Sequence, residues 1–205
     1  ARDLKGKIVG VSTLGSVTHL LTLRVLDGIG LDPARDVIIR PIGGEDLRFQ
    51  SLESGIIQAA LLGSQGVIQG EKAGLKVVVA AADVIESIAF SGLSTTLKKL
   101  KENPEQARRV LRASLKGLRY VWENKTGTVD VIESWFKLDK KIASMTYDLA
   151  LKSYSRNGEV DDKGIQLTVD MITAREKMEK KTSPSDLVDY TQLREARKNL
   201  AWPWP

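Results

Sequence analysis

The chain has 205 residues, 42% hydrophobic and 28% charged, with a formal charge of +5, one histidine and no cysteine. The lack of cysteine excludes disulfides, thiolate metal sites and cysteine nucleophiles. No apolar run approaches the length of a membrane span, and no signal-peptide pattern follows residue 1. The charge is uneven: residues 1–90 hold 9 Lys/Arg against 10 Asp/Glu, and residues 91–205 hold 22 against 16. The basic residues alternate with acids, as in Lys98-Lys99-Leu100-Lys101-Glu102 and Glu176-Lys177-Met178-Glu179-Lys180-Lys181. That is the pattern of solvated helix faces, and no nucleic-acid partner is expected.

Residues 7–11, Lys-Ile-Val-Gly-Val, read as a short buried strand that runs through Ser12-Thr13-Leu14-Gly15-Ser16 into a helix over 16–28, ended by Gly30. Asp32-Pro33 turns the chain into a second strand, 37–42, which closes at Gly43-Gly44 and opens a helix over 45–53. After Ser54-Gly55 comes a third strand, 57–62, then Gly63-Ser64-Gln65-Gly66 and a helix over 65–72. A fourth strand is expected at 76–81, Lys-Val-Val-Val-Ala-Ala. Strands apolar on both faces and joined by helices predict an α/β lobe with a mainly parallel, sandwiched sheet.

From residue 94 the period becomes helical. Asn103-Pro104-Glu105 is a capped helix start, followed by Ala107, Val110/Leu111, Ser114, Leu118 and Val121/Trp122 on one face. Leu138-Asp139 starts a helix that aligns Ile142, Met145 and Leu149, and Ser155-Arg156-Asn157-Gly158 is a turn. A helix from Asp161 or Asp162 aligns Ile165, Val169 and Ile172. Ser183-Pro184-Ser185-Asp186 reads as a linker before a last helix over 190–200, and Trp202-Pro203-Trp204-Pro205 reads as a flexible tail. The expected organisation is a ligand-binding lobe over 1–88, a helical segment over 89–200 and a tail over 201–205. These helices come with no sheet of their own, so self-association or a missing partner surface is expected to cover them.

The candidate site lies where strand ends meet helix starts, because free backbone N–H groups converge there. Ser12, Thr13, Gly15 and Ser16 offer hydroxyls and amides at the first strand end. Gly43 and Gly44 allow close backbone approach at the second, and Ser64 and Gln65 stand at the third. Ser16 and Thr18 also suit plain helix caps. His19, in the first turn of the first helix, is open to cleft lining, packing or general-base work. A single histidine without partners makes no zinc site, and no Gly-x-Ser-x-Gly elbow accompanies it. Glu45 and Asp46 occupy the start of the second helix, where they compete with an anionic ligand for amides. Trp122, Trp135, Tyr147 and Tyr154 are read as packing residues. No metal, no cofactor and no catalytic set is expected.

Asp3-Leu4-Lys5-Gly6-Lys7-Ile8-Val9-Gly10-Val11, Gly15-Ser16, Gly30-Leu31-Asp32-Pro33 and Ile42-Gly43-Gly44 together resemble the second lobe of periplasmic solute-binding proteins. The class is that of nitrate/sulfonate/taurine and thiamine-pyrimidine ABC importers. The resemblance continues through Leu52-Glu53-Ser54-Gly55-Ile56-Ile57-Gln58-Ala59-Ala60, Glu71-Lys72-Ala73-Gly74-Leu75-Lys76-Val77 and Glu102-Asn103-Pro104-Glu105. It then runs through Leu118-Arg119-Tyr120-Val121-Trp122-Glu123-Asn124 to Asp186-Leu187-Val188-Asp189 and Leu193-Arg194-Glu195-Ala196.

The resemblance implies a type II binding-protein lobe that contacts a small anionic or polar solute through Ser12, Thr13, Ser16 and the Gly43-Gly44 turn. It also implies an ABC permease as partner, a periplasmic or other extracytoplasmic location, and a first lobe of which most is absent here. Gly63-Ser64-Gln65-Gly66 departs from the commoner apolar or aromatic segment after the third strand. The alternative is a non-catalytic sensor or structural oligomer using the same lobe. An enzyme of the thiamine-pyrimidine branch fits poorly, because that branch depends on histidine chemistry and a cysteine-rich segment.

Overall fold

The computed structural model describes residues 2–176 and 182–200. The expected tail at 201–205, and most of the charged 176–181 run, lie outside them. The fold is mixed α/β, with a parallel sheet at its core and a helical C-terminal region. The chain divides into two compact units, Ala1–Glu86 and Ser87–Pro205.

In the first unit, β1 (Ile8–Val11) is the central strand of three. It pairs in parallel with β2 (Ile38–Pro41), Ile8 opposite Ile38, and with β3 (Ala59–Ala60), Val9 opposite Ala59. Helix α1 (Val17–Gly28) follows β1, α2 (Glu45–Glu53) follows β2 and α3 (Ser64–Lys72) follows β3. Val9 and Val11 of β1 are buried, with Leu26, Leu31, Val37 and Leu4 completing a core cluster beside Val9.

Three expectations need correction here. The sheet is not sandwiched throughout: β2 is an edge strand whose Ile38 is 52% exposed. Its Pro41, which has no N–H to donate, is tolerated at that edge. The fourth strand does not form, and residues 75–80 carry no ladder before a 3₁₀ turn at Ala81–Asp83. A β-branched run becomes a strand only where an edge accepts it. The third strand is only two residues long instead of the expected six. Ala59, Ala60, Leu61 and Leu62 border the same cavity of about 190 Å³ as Val77, Val78 and Val79.

The second unit is helical: α4 (Leu97–Glu102), α5 (Pro104–Glu123), α6 (Lys125–Phe136), α7 (Lys140–Leu151), α8 (Asp162–Glu176), α9 (Pro184–Leu187) and α10 (Thr191–Lys198). Asn103 Oδ1 accepts the Gln106 N–H at 3.0 Å and Asp139 Oδ1 the Ile142 N–H at 2.8 Å, so both expected caps form. Leu115 of α5 is buried against Leu193 and Ala196 of α10, and Val129 of α6 against Ala143 and Tyr147 of α7.

The expected stripes hold in part, with Leu111 and Val121 of α5 packed inward and Ile165 and Val169 of α8 buried, and shift at particular positions. Val110 and Ser114 are exposed while Leu115 is buried, and Met145 and Leu149 face solvent while Ala143 and Tyr147 are buried. In α8, Ile165 and Val169 are buried and Ile172 is exposed. The 183–186 linker holds a single helical turn, α9, closed by a capping box between Ser183 and Asp186.

Candidate functional site at the strand ends

At the end of β1 three hydroxyls form a triangle. Ser12 Oγ lies 2.7 Å from Ser16 Oγ and 2.5 Å from Thr18 Oγ1, and Ser16 Oγ lies 2.8 Å from Thr18 Oγ1. Ser16 is the N-cap of α1: its Oγ accepts the His19 N–H at 3.2 Å and donates to the Thr13 carbonyl at 2.7 Å. Thr18 Oγ1 also accepts the Ser12 N–H at 3.4 Å. The hydroxyls therefore stabilise the loop while standing beside the start of a twelve-residue helix. Among the described residues, the amides of Val17 and Thr18 find no acceptor within the protein, as expected for a helix's first N–H groups. Together they offer a partial positive charge and donors to one small polar group.

His19 turns back on this loop, where its Nδ1 accepts the Gly15 N–H at 2.8 Å. That bond requires Nδ1 to be unprotonated, and it places the imidazole as a brace for the Gly15 turn.

The β1 and β2 ends are joined directly, because the Gly43 N–H donates to the Ser12 carbonyl at 3.0 Å. Gly43 sits at φ +116°, a backbone conformation that a side chain would strain, and Gly44 is the N-cap of α2. From α2, Arg48 folds under the turn and is only 4% exposed. Its Nη1 donates to the Gly43 carbonyl at 2.6 Å and its Nε to the Leu61 carbonyl at 3.3 Å. One guanidinium thus ties the ends of β2 and β3 together. Glu45, 4.0 Å from Arg48 Nη2, reaches the start of α3, where its Oε2 accepts the Gly63 N–H at 3.1 Å. Ser64 and Gln65 occupy the first turn of α3.

The predicted residues thus fall into one braced group, made of Ser12, Thr13, Gly15, Ser16, His19, Gly43 and Gly44, and a pair, Ser64 and Gln65, at the neighbouring strand end. Sequence reading missed the structural part of Arg48 and the reach of Glu45 to α3, and Thr18, read as suiting a plain cap, joins the hydroxyl triangle instead. An arginine three residues after a glutamate, behind a Gly-Gly turn, is the signal that was available. Among the described residues, no three His, Cys, Asp or Glu side chains gather as a metal site, and Glu45, Asp46 and Asp83 form no such group.

A model of a protein family described as NMT1/THI5 like matches residues 1–127. No curated protein matches the chain in sequence. Among solved structures, the fold is similar to a protein of Bordetella bronchiseptica RB50, with a TM-score of 0.73 and 18% identity. It is also similar to the ligand binding component of an ABC-type import system from Staphylococcus aureus, solved with zinc bound, with a TM-score of 0.75 and 15% identity. Each alignment takes in 96% of this chain, and the chain spans 65% of the length of each of those proteins.

Proposed function

The chain belongs to the NMT1/THI5-like family, and from that premise we propose that it is a solute-binding lobe of an ABC-type importer. It holds a small anionic or polar organic solute, such as a sulfonate, nitrate or a pyrimidine, and does not transform it. The observation that carries the reading is the braced junction of the β1 and β2 ends. There the Ser12–Ser16–Thr18 triangle, the Val17 and Thr18 amides and the Gly43-Gly44 turn meet. Hydroxyls and helix-start amides recognise a compact charged or strongly hydrogen-bonding group without a counter-cation.

The same reading assigns the protein to an extracytoplasmic compartment and gives it an ABC permease as partner. The facing half of the cleft comes from a first lobe, supplied by further chain or by another copy. The structural likeness to the Staphylococcus aureus import component supports this direction at the level of fold.

Calorimetric titration with nitrate, ethanesulfonate, small carboxylates and pyrimidines tests the proposal. At least one is expected to bind, with affinity reduced about tenfold or more when Ser12 and Ser16 are both changed to alanine, since the hydroxyl triangle that orients Thr18 and the start of α1 is lost. Unchanged affinity in a folded double variant contradicts the site. Turnover of any solute that His19→Ala abolishes, with the fold intact by circular dichroism, contradicts the non-catalytic reading.

A further inference from the structure

Beside β3 the first unit holds a cavity of about 190 Å³, walled by Val25 and Leu26 of α1, Val67 of α3, Ala60 of β3, and Val77 and Val79 of the segment that follows α3. None of Ser12, Thr13, Ser16, Gly43 or Gly44 borders it. It exists because the sheet stops at β3, and residues 76–79 pass that edge without joining a ladder. The polar side chains in its wall already hold partners. Thr22, which is buried, donates its hydroxyl to the Thr18 carbonyl at 2.7 Å. The Gln58 amide accepts the Ile8 N–H at 3.1 Å and donates to the Gly55 carbonyl at 2.8 Å. Glu71 and Lys76, the charged residues of the wall, are exposed at its rim.

We infer that this cavity is a second binding site, for a small, neutral, mainly apolar molecule between benzene and indole in size. An apolar cavity of about 150 Å³ stays dry and takes benzene, because a water there lacks polar partners. The larger volume here leaves room for a ring with a few further carbons. Burying a charge against these apolar side chains is costly, so a charged solute is rejected. β3 has no strand on this side, and its backbone edge offers a hydrogen bond to one N–H or O–H of the occupant. Entry is through residues 76–79. There Val77 and Val78 are half exposed, and among the described residues the N–H groups of 76–79 make no backbone hydrogen bond. This site is independent of the strand-end solute site and goes beyond it.

The test is methyl NMR of the full 205-residue chain titrated with benzene, indole and benzenesulfonate. Benzene or indole is expected to give saturable shifts at the Val25, Val67 and Val79 methyls. Benzenesulfonate, the same ring with a charge, is expected to bind there at least about tenfold more weakly. Val67→Phe fills the cavity from α3 and is expected to weaken binding of the neutral rings by about tenfold or more. Val79→Phe fills it from a segment outside the ladder, which keeps the test decisive if the α3 variant unfolds. Absence of saturable shifts with both benzene and indole overturns the inference. So does equal binding of benzenesulfonate at these methyls, or unchanged affinity for the neutral rings in the folded variants. Each of these outcomes leaves the strand-end solute site standing, because that site is read at Ser12, Val17, Thr18, Gly43 and Gly44.

Discussion

Arg48 carries a charge that folding removes from water, and three oxygens compensate it: the Gly43 and Leu61 carbonyls and the Glu45 carboxylate. Breaking such a set strands its partners, which costs more than the set contributes net. Arg48→Met, which keeps the aliphatic stem and removes the donors, is expected to destabilise the first unit by about 2–4 kcal/mol. Urea denaturation followed by circular dichroism measures it, and a loss below about 0.5 kcal/mol contradicts the bracing role. The cap at Ser16 was legible in the sequence because a hydroxyl residue just before a helix start is a common N-cap. Arg48 was not, because its meaning depends on a carbonyl thirteen residues away. Local spacing does not encode that contact.

Among the elements, legibility followed the capping chemistry. The starts of α5 and α7 were readable because Asn103 and Asp139 make local bonds. Helix α6 was hidden because Asn124 both ends α5 and caps α6, its Oδ1 accepting the Gly127 N–H at 2.8 Å, so no turn residues interrupt the pattern. The phase of α7 was misread because Tyr147 is buried and sends its hydroxyl to the Val121 carbonyl at 2.7 Å, while apolar Met145 stays exposed.

The turn before α8 is held to α10 by Glu159, which accepts hydrogen bonds from Arg194 at 3.1–3.2 Å and from Arg197. The Arg194 hydrogen bonds, with the charge of Arg197 beside them, hold the Glu159 carboxyl below its ordinary value of 4.5. A carboxylate whose pKa is depressed by folding contributes stability above its unfolded pKa and loses it as pH falls through the folded value. Glu159→Gln is therefore expected to cost about 1–2 kcal/mol at pH 7, with the gap closing as pH drops below 4.5. Trp122, half-buried with its Nε1–H on the Ser155 carbonyl, reports unfolding of this unit by its fluorescence. A gap that is the same at pH 7 and at pH 3 contradicts the linkage.

At the scale of the molecule, the mixed α/β fold with its parallel sheet and helical C-terminal region was legible from the order of motifs, and the family in its broad NMT1/THI5-like form. The size of the sheet was not, because strand formation depends on an edge that sequence does not reveal. Trp135 is 80% exposed and Phe136 60% exposed on α6, and Leu97 of α4 is 76% exposed. The self-association expected from the sequence would cover such side chains. Light scattering at micromolar concentration is expected to give a mass of at least twice 22.5 kDa, and Trp135→Glu to lower it. A monomer under these conditions contradicts self-association.

The claim that matters most is that solute is held where β1 and β2 meet α1 and α2. Amide chemical-shift mapping on titration with whichever of nitrate, ethanesulfonate or pyrimidine binds tests it directly. The account predicts the largest shifts at Ser12, Val17, Thr18, Gly43 and Gly44. Shifts confined to residues 87–200, or absent from the Val17 and Thr18 amides at saturation, would contradict it.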